Sequence, residues 1–280
     1  MSKHTSWRVG GPADYFFKPA DVEDLANFLT QVPADMPLHW LGLGSNLLVR
    51  DGGIRGVVIL TSGLLNHIEF LGDGLFRAEA GVACAKLARQ VARMNFAECE
   101  FLAGIPGTIG GALAMNAGAF GGETWEKVEA VETLDRQGRQ HLRRPDEYQI
   151  AYRQVSGPAN EWFIAGHFRF NAGNGEETLS RIKELLAKRN ASQPTNQPSC
   201  GSVFRNPEGD FAARLIEQCG LKGTCIGGAC VSQKHANFIV NTGNATAADI
   251  ESLIELVART VKDQQGVDLI REAHIMGEKE

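Results

Sequence analysis

The fold of this chain is decided by a glycine-rich loop, Leu41-Gly42-Leu43-Gly44-Ser45-Asn46-Leu47-Leu48-Val49, that lies between two apolar stretches. These stretches predict a strand at 38–41 and another at 56–60. The strand–loop–strand order lacks the helix that a Rossmann unit requires, and the Gly-Lys-Ser/Thr of a P-loop is absent. Two glycines that flank one residue let backbone N–H groups converge on an anion. The residues alone leave a tight turn and a phosphate cradle as equal alternatives.

A second glycine-rich segment, residues 104–122, contains seven glycines among nineteen residues. So many glycines cost conformational entropy on folding unless another group must approach the backbone closely. A flexible linker would be polar and rich in serine, whereas this segment is largely apolar. We therefore predict that it lines a ligand. Together the two segments suggest an elongated cofactor that carries phosphates.

The overall composition of the 280 residues excludes several classes of protein. A net charge of −5 without any long basic run argues against a nucleic-acid partner. No stretch approaches about 18 apolar residues and the N-terminus has no apolar signal segment, so we expect a cytoplasmic chain without a membrane span. The six cysteines are few for this length and suggest reduced thiols.

Apolar periodicity predicts an α+β fold with a boundary between residues 170 and 200. No helix or strand is assigned to the glycine-rich stretch after residue 103. Beyond the boundary, residues 226–232 are predicted as one strand and 268–276 as the last one. The predicted helices are 21–29, 84–95, 176–189, 210–219 and 246–263.

Other polar residues carry weaker signals. Ser202 follows a glycine and could present its hydroxyl from a rigid turn, but no Gly-x-Ser-x-Gly elbow or triad partner accompanies it, so a structural serine is favoured. A polar cluster at 222–237 fits an anion-binding arm and a solvated turn equally well. Glu272 alternates with apolar residues, and an exposed, ion-paired glutamate is favoured over a half-buried acid with a raised pKa.

A zinc site is disfavoured. Its candidate ligands are separated by five, four and four intervening residues, whereas zinc knuckles usually have about two to four. Cysteines in apolar surroundings are more often core thiols. We therefore predict no metal at Cys219, Cys225, Cys230 and His235.

Six motifs, taken in order, resemble those of the UDP-N-acetylenolpyruvoylglucosamine reductases, flavoenzymes of bacterial cell-wall precursor synthesis. The resemblance runs almost end to end, from residue 4 to residue 277. No single motif would suffice, but the order and spacing of all six make coincidence implausible. The motifs are 42–49, 104–112, Met115-Asn116-Ala117-Gly118-Ala119, Tyr152-Arg153, 201–207 and the final strand with Glu272.

The resemblance implies an α+β fold with an FAD-binding region of the vanillyl-alcohol-oxidase (PCMH) type. This region would span 1–170, in subdomains of about 1–62 and 63–170. A substrate-binding C-terminal α+β domain would span 171–280. The last strand, 268–277, is a candidate to return to the FAD-binding region.

The implied activity is that of an FAD-dependent UDP-N-acetylmuramate dehydrogenase (NADP+). NADPH would reduce non-covalent FAD, and hydride from flavin N5 would then reduce UDP-N-acetylglucosamine enolpyruvate to UDP-N-acetylmuramate. By similarity Ser202 supplies the proton, and Arg153 and Glu272 stabilise the enolic carboxylate. The resemblance thus predicts a cytoplasmic oxidoreductase of peptidoglycan synthesis, cell shape and cell division. Its expected partners are small molecules, with no nucleic acid, membrane or obligate protein partner.

The resemblance also assigns binding residues. Those predicted to contact the UDP-sugar are Tyr152, Asn206 and His235. Those predicted to contact FAD are Gly42, Gly44, Ser45, Asn46, Leu47, Gly104, Pro106, Gly107, Thr108, Gly110, Gly111, Ala112, Asn116 and Gly118.

The chain departs from the family pattern in places. The serine of the usual Tyr-Arg-x-Ser comes one residue late, at Ser156, and Ala273-His274 replaces the usual Val-Arg after the glutamate. The segment between Arg153 and Ser202 is short and lacks a tyrosine-bearing insertion, so the chain resembles the shorter class. The alternatives are another FAD-dependent oxidoreductase or oxidase of the same fold, and a non-catalytic nucleotide-binding module.

Overall fold

The computed structural model describes all 280 residues as a mixture of helices and short strands. The α-helices are α1 (Val22–Gln31), α2 (Cys84–Arg93), α3 (Glu100–Ala103), α4 (Ile109–Met115), α5 (Gly175–Ser192), α6 (Ala212–Gln218) and α7 (Ala247–Gln265). The strands are β1 (Ala13–Phe17), β2 (Leu38–Leu41), β3 (Leu47–Val49), β4 (Ile54–Leu60), β5 (Ile68–Gly72), β6 (Leu75–Glu79), β7 (Gly118–Ala119), β8 (Gly122–Glu123), β9 (Val128–Asp135), β10 (Gln140–Arg143), β11 (Gln149–Ala151), β12 (Gln154–Ser156), β13 (Glu161–Arg169), β14 (Cys225–Ile226), β15 (Ala229–Val231), β16 (Ile239–Asn241) and β17 (His274–Met276).

The chain forms two compact units, each built from discontinuous segments. Unit 1 comprises Met1–Tyr15, Gly44–Gly56 and Arg189–Glu280, and unit 2 comprises Phe16–Leu43 and Val57–Lys188. The predicted domains were continuous stretches divided at residue 170, and their bounds stay a prediction.

The larger part of unit 2 is a five-stranded antiparallel sheet in the order β10-β9-β13-β6-β5. In its centre Phe168 of β13 lies opposite Phe76 of β6. Both side chains are fully buried, together with Leu87 of α2, Leu102 of α3 and Leu113 of α4. Burial of this apolar surface holds the three helices against the sheet.

A smaller layer of unit 2 brings the first glycine-rich loop into place. β2 pairs in parallel with the end of β4, so that Leu41 lies opposite Leu60. Leu25 and Leu29 of α1 are buried against this pair. The side chain of Asp21 accepts a hydrogen bond from the Asp24 N–H and caps α1. The loop therefore begins at the end of a paired strand whose last residue, Leu41, is buried.

Unit 1 packs α6 and α7 against the small antiparallel sheet β14-β15-β16. Trp7 is fully buried in this core, and its indole N–H donates to the Ile239 carbonyl at 2.7 Å. α7 is capped at its N-terminus by Thr246, whose side chain accepts from the Asp249 N–H, and at its C-terminus by Gly266, which has φ of 70°. β17 pairs in parallel with β3, with His274 opposite Leu47.

Several predicted elements differ from the structure. Residues 226–232 form a hairpin rather than one strand, since the chain turns at Gly227 and Gly228 between β14 and β15. Of the predicted last strand only residues 274–276 form a strand, and Arg271 makes an isolated β-bridge. The second glycine-rich segment contains a helix, α4, which the glycines concealed. A Cβ on Gly110 would lie 2.9 Å from the Ala80 Cβ, so this glycine permits close packing rather than disorder.

The cysteines also differ from the expected reduced thiols. Cys225 and Cys230 lie directly opposite each other on β14 and β15 and form a disulfide. Cys84, Cys99 and Cys200 are free and buried. In addition, no helix has the length and apolar character needed to cross a membrane.

Candidate functional site

The segment that carries Ser202 runs beside the segment that carries Glu272 in unit 1. The N–H groups of Glu272 and Ala273 both donate to the Val203 carbonyl, at 2.8 and 3.2 Å. One residue further on, Phe204 and Arg271 form an isolated β-bridge. The structure therefore brings together the backbones of two predicted catalytic residues that are 70 positions apart in the chain.

Asn237 holds the Ser202 segment from the other side. Its carbonyl accepts from the Val203 N–H at 2.9 Å. Its side-chain amide exchanges two hydrogen bonds with the Phe204 backbone, at 3.0 and 2.8 Å. Because Asn237 is buried and its amide is satisfied, it fixes the path of the chain after Ser202. Sequence reasoning placed Asn237 only in a polar cluster, and no local signal showed this role.

The end of the first glycine-rich loop touches the Glu272 segment in the same unit. The side-chain amide of Asn46 donates to the Glu272 carbonyl at 3.0 Å, and the His274 N–H donates to the Asn46 carbonyl at 3.0 Å. Asn46 was predicted to contact the cofactor. In this structure it also connects the loop to the segment that carries the predicted catalytic residue Glu272.

The Cys200 thiol, two residues before Ser202, is not a nucleophile. Burial, and to a smaller extent the negative charge of Glu272, raises the pKa of this thiol well above its ordinary value. The thiol therefore stays protonated at neutral pH, and protonated thiols are poor nucleophiles. The hydroxyl of Ser202 is therefore the group of this turn that is available for chemistry.

Arg153, the third predicted catalytic residue, lies in unit 2 at the turn between β11 and β12. Its guanidinium donates to the carbonyls of Asn116 and Gly118, at 3.1 and 3.0 Å. The guanidinium carbon lies 4.9 Å from the ring centre of Tyr152. The predicted catalytic arginine is thus docked on the second glycine-rich segment.

Asn116 links the second glycine-rich segment to the residues around Arg153 in unit 2. Its amide donates to Glu123 at 2.7 Å and to the Ala151 carbonyl at 3.3 Å, and its oxygen accepts from the Trp125 N–H at 3.1 Å. Its own backbone is left-handed, with φ of 45°, at the end of α4. Both side-chain amide hydrogens are therefore used within unit 2, beside Arg153, and the predicted contact of Asn116 with the cofactor stays a prediction.

The predicted substrate residues lie in different surroundings. Tyr152 is exposed, and the Asn206 side chain accepts from the Ala212 N–H at the start of α6. The imidazole of His235 has a buried Nδ1 without a partner. Burial, helped by the charge of Lys222, lowers the pKa of His235, so this imidazole is neutral at physiological pH.

The first glycine-rich loop offers free donors in both units. In unit 2 the N–H groups of Gly42 and Leu43 donate to no group of the chain, and in unit 1 the same holds for Gly44 and Ser45. Gly44 has φ of 63°, and a Cβ there would lie 2.1 Å from the His4 carbonyl oxygen. Unpaired N–H groups beside a glycine backbone suit a phosphate, which favours the cradle over a plain turn.

In the second glycine-rich segment, by contrast, several N–H groups are paired within the chain. The N–H groups of Gly110 and Ile109 donate to the Ala80 and Val82 carbonyls, and Thr108 Oγ1 accepts from the Gly111 N–H at 3.5 Å. These residues can line a ligand through close backbone approach rather than through free donors. The other predicted residues here, Gly104, Pro106, Gly107, Ala112 and Gly118, lie in or beside α3, α4 and β7, and Leu47 lies in β3 of unit 1.

A cavity of about 280 Å³ opens in unit 2 beside three predicted cofactor residues, Gly42, Gly110 and Gly111. Two further lining residues, Trp40 and Tyr148, each have a buried polar atom with no partner, the indole N–H and the hydroxyl. Sequence reasoning missed both. The one signal was an aromatic residue directly before the glycine-rich loop.

Comparison with known proteins identifies the family. An FAD binding domain model matches residues 13–142, and a model of the C-terminal domain of UDP-N-acetylenolpyruvoylglucosamine reductase matches residues 193–276. The reductase of that name from Legionella pneumophila (strain Paris) is 58% identical over 99% of this chain and 92% of its own length. The chain belongs to the UDP-N-acetylenolpyruvoylglucosamine reductase family.

Further members agree with this assignment. The UDP-N-acetylenolpyruvoylglucosamine reductase of Nitrosococcus oceani is 59% identical over 99% of this chain and 93% of its own length. The crystal structure of UDP-N-acetylenolpyruvylglucosamine reductase from Thermus caldophilus has a TM-score of 0.85 and 34% identity, and covers 99% of this chain and 97% of its own. The predicted family, its shorter class, the PCMH-type fold and FAD as cofactor are confirmed. The protein is an FAD-dependent oxidoreductase.

Proposed function

We propose that Ser202, Arg153 and Glu272 carry out the reaction from which the family takes its name. Family membership confirms the predicted function, the NADPH-dependent reduction of UDP-N-acetylglucosamine enolpyruvate to UDP-N-acetylmuramate for peptidoglycan. The roles of the three residues go beyond that membership. The observation that supports them is the pairing of the Ser202 and Glu272 segments through the Val203 carbonyl.

When bound, FAD would supply the redox chemistry, the transfer of hydride from NADPH to the terminal carbon of the enolpyruvyl ether. The substrate carbon next to the carboxylate then requires a proton. Ser202 donates that proton from its hydroxyl. A serine hydroxyl is a weak acid, but a carbanion is a strong base, so the transfer needs orientation rather than a shifted pKa. The Asn237 and Glu272 backbones provide that orientation.

Arg153 and Glu272 stabilise the negative charge that develops on the substrate carboxylate. A guanidinium offers fixed donors to two oxygens of a carboxylate, and its charge opposes the developing dianion. The carboxyl of Glu272 assists when it is protonated and donates. Arg153 is already oriented by the Asn116 and Gly118 carbonyls, which limits the reorganisation needed when substrate binds.

Tyr152, Asn206 and His235 contact the UDP-sugar in this proposal. What supports His235 is its buried, unpartnered Nδ1. Neutral imidazole can donate or accept there without the cost of burying a charge. Lys222 and Lys234 lie in the same polar cluster, where Lys222 pairs with Glu217 at 2.7 Å and Lys234 donates to the Asn190 carbonyl. We also retain the predicted domains 1–170 and 171–280, the cytoplasmic location and the expectation of small-molecule partners only.

Substitution of Ser202 tests the proton step. In Ser202→Ala we expect turnover to fall by about 100- to 10,000-fold, the usual contribution of general acid catalysis. Reduction of the flavin by NADPH, followed as loss of visible absorbance, should be unchanged because the serine acts after hydride leaves. Ser180→Ala, on the exposed face of α5, is the control and should behave as wild type. Unchanged turnover in Ser202→Ala would exclude serine as the acid.

A further inference from the structure

The β7–β8 hairpin of unit 2 holds a carboxylate beside the predicted catalytic arginine. Gly118 of β7 pairs with Glu123 of β8 in antiparallel register. One carboxylate oxygen of Glu123 lies 4.0 Å from Arg153 Nη1. The Arg153 guanidinium also donates to the carbonyls of Asn116 and Gly118, at 3.1 and 3.0 Å. The proposed reaction uses Arg153 and leaves Glu123 without a role.

Contacts other than the one to Arg153 fix the position of Glu123. Its second carboxylate oxygen accepts from Asn116 Nδ2 at 2.7 Å, and its backbone N–H donates to Glu126 Oε2 at 3.2 Å. The side chain of Glu123 is 32% exposed and that of Arg153 is 15% exposed. Water therefore screens this pair less than it screens a pair on an open surface. The carboxylate lies at a defined distance from the guanidinium.

Gly118 allows the two charged groups to come this close. A Cβ at this position would lie 2.4 Å from the Gly122 carbonyl oxygen, and 3.2 Å from both Arg153 Nη1 and Glu123 Cγ. Any side chain here would therefore press on the guanidinium and on the carboxylate together. The missing side chain makes room for the ion pair, a use separate from the FAD contact predicted for Gly118.

The distance between the two groups shows how the carboxylate acts. At 4.0 Å the nitrogen and the oxygen are too far apart for a hydrogen bond, so this oxygen of Glu123 acts on Arg153 through its charge. The bond from Asn116 does not need that charge, because a glutamine oxygen would accept it equally well. Attraction to a fixed negative charge opposes rotation of the guanidinium away from the two backbone carbonyls.

We propose that Glu123 is a positioning residue, whose charge keeps the Arg153 guanidinium in the orientation that meets the substrate carboxylate. This inference rests on the proposed function, in which Arg153 stabilises the charge that develops on that carboxylate. Because Glu123 and the substrate carboxylate are both negative, Glu123 does not strengthen substrate binding. Loss of its charge should therefore lower the rate of the reaction without weakening the binding of substrate.

The test follows the two half-reactions of the FAD-loaded full chain by flavin absorbance. Anaerobic reduction by NADPH reports the first, and reoxidation of the reduced flavin by UDP-N-acetylglucosamine enolpyruvate reports the second. In Glu123→Gln we expect the second rate to fall about 3- to 10-fold, while the first rate stays the same and the substrate concentration at half-maximal rate does not rise. The fall is smaller than the roughly 100-fold that a 1 Å misplacement can cost, because the two carbonyls still hold Arg153.

Two further variants show whether the charge of Glu123 is responsible. Glu98→Gln removes the charge from an ion pair with Lys127 and is the matched control, which should leave both rates unchanged. Glu123→Asp keeps the negative charge on the hairpin and should recover most of the rate that Glu123→Gln loses. Recovery of none of that rate would contradict a role for the charge.

A double-mutant cycle with Arg153→Gln separates positioning of the arginine from structural damage. If Glu123 acts through Arg153, Glu123→Gln should change the second rate by less than about 2-fold in the Arg153→Gln background. Losses that multiply in the double variant would overturn the proposal, as would a normal second rate in Glu123→Gln alone. Failure of the proposed function would appear instead as a normal second rate in Arg153→Gln itself.

Discussion

Arg153 has a left-handed backbone, with φ of 56°, at the turn that follows β11. Such a conformation costs a non-glycine residue about 1–2 kcal/mol and persists where neighbouring contacts hold it. Here the contacts are the Asn116 and Gly118 carbonyls on the side chain and the Asn116 amide on the Ala151 carbonyl. The left-handed backbone of Arg153 is thus held by the segment that is predicted to line the cofactor.

Asn116 should therefore act on the reaction through Arg153. Asn116→Gly keeps the left-handed conformation at the end of α4 but removes the bonds to Glu123, Ala151 and Trp125. We expect kcat to fall by about 10- to 100-fold, as for a misplaced catalytic group, while the Kd for FAD changes less than about 2-fold. Steady-state kinetics and flavin titration measure the two effects.

Asn95→Gly is the matched control for Asn116→Gly. Asn95 also has a positive φ, 64°, and its side chain accepts from the Gly175 N–H, away from the predicted site. Its substitution should lower stability and leave kcat unchanged. A loss of FAD affinity with normal kcat in Asn116→Gly would instead support the predicted cofactor contact and contradict action through Arg153.

At the level of elements, a half-buried ionic group connects three strands of the sheet in unit 2. Glu132 on β9 accepts from Arg77 on β6 at 2.7 and 2.6 Å and lies 2.7 Å from His167 on β13. Burial alone would raise the pKa of Glu132, but hydrogen bonds from His167 and Arg77 outweigh it and lower the pKa from 4.5 to about 2. The carboxylate therefore stays ionised and stabilises the sheet at neutral pH.

This group should make stability depend on pH in the acid range. Because the folded-state pKa lies below the unfolded one, its contribution is complete above about pH 4.5 and is lost as the pH falls toward 2. Glu132→Gln should lower the free energy of unfolding by about 2–3 kcal/mol at pH 7, and by less at pH 3. Urea unfolding at both pH values measures this.

The control for Glu132→Gln lies on the same strand. Glu129 pairs with Arg169, but both side chains are largely exposed, so Glu129→Gln should cost less than about 1 kcal/mol. A Glu132→Gln variant as stable as the control at pH 7 would contradict the stabilising role given to the half-buried ionic group.

At the scale of the whole molecule, unit 1 is closed by contacts between distant parts of the chain. Trp7 donates to Ile239, and β3 pairs with β17 more than 200 residues later. The Cys225–Cys230 disulfide is local by comparison, with a sequence separation of five. It joins two strands that are already paired, so it constrains the hairpin rather than the unit.

The disulfide predicts four free thiols instead of the six that the sequence suggested. Under denaturing, non-reducing conditions, alkylation and mass spectrometry should label Cys84, Cys99, Cys200 and Cys219 only. Prior reduction should add Cys225 and Cys230. The double variant Cys225→Ser with Cys230→Ser is the control and should give the same four labelled cysteines with and without reductant. Labelling of all six cysteines without reductant would restore the original expectation of reduced thiols.

The sequence by itself determined the local elements and the family. Asp21 caps a helix, apolar residues predict β2, and six ordered motifs identify the reductases, because caps, periodicity and motifs depend on neighbours in the chain. Only the tertiary structure decided that Ser202 lies beside Glu272, that Arg153 docks on Asn116 and that Trp40 and Tyr148 share a cavity. These contacts join segments that are far apart in the chain, and the local sequence pattern does not specify which distant segments meet.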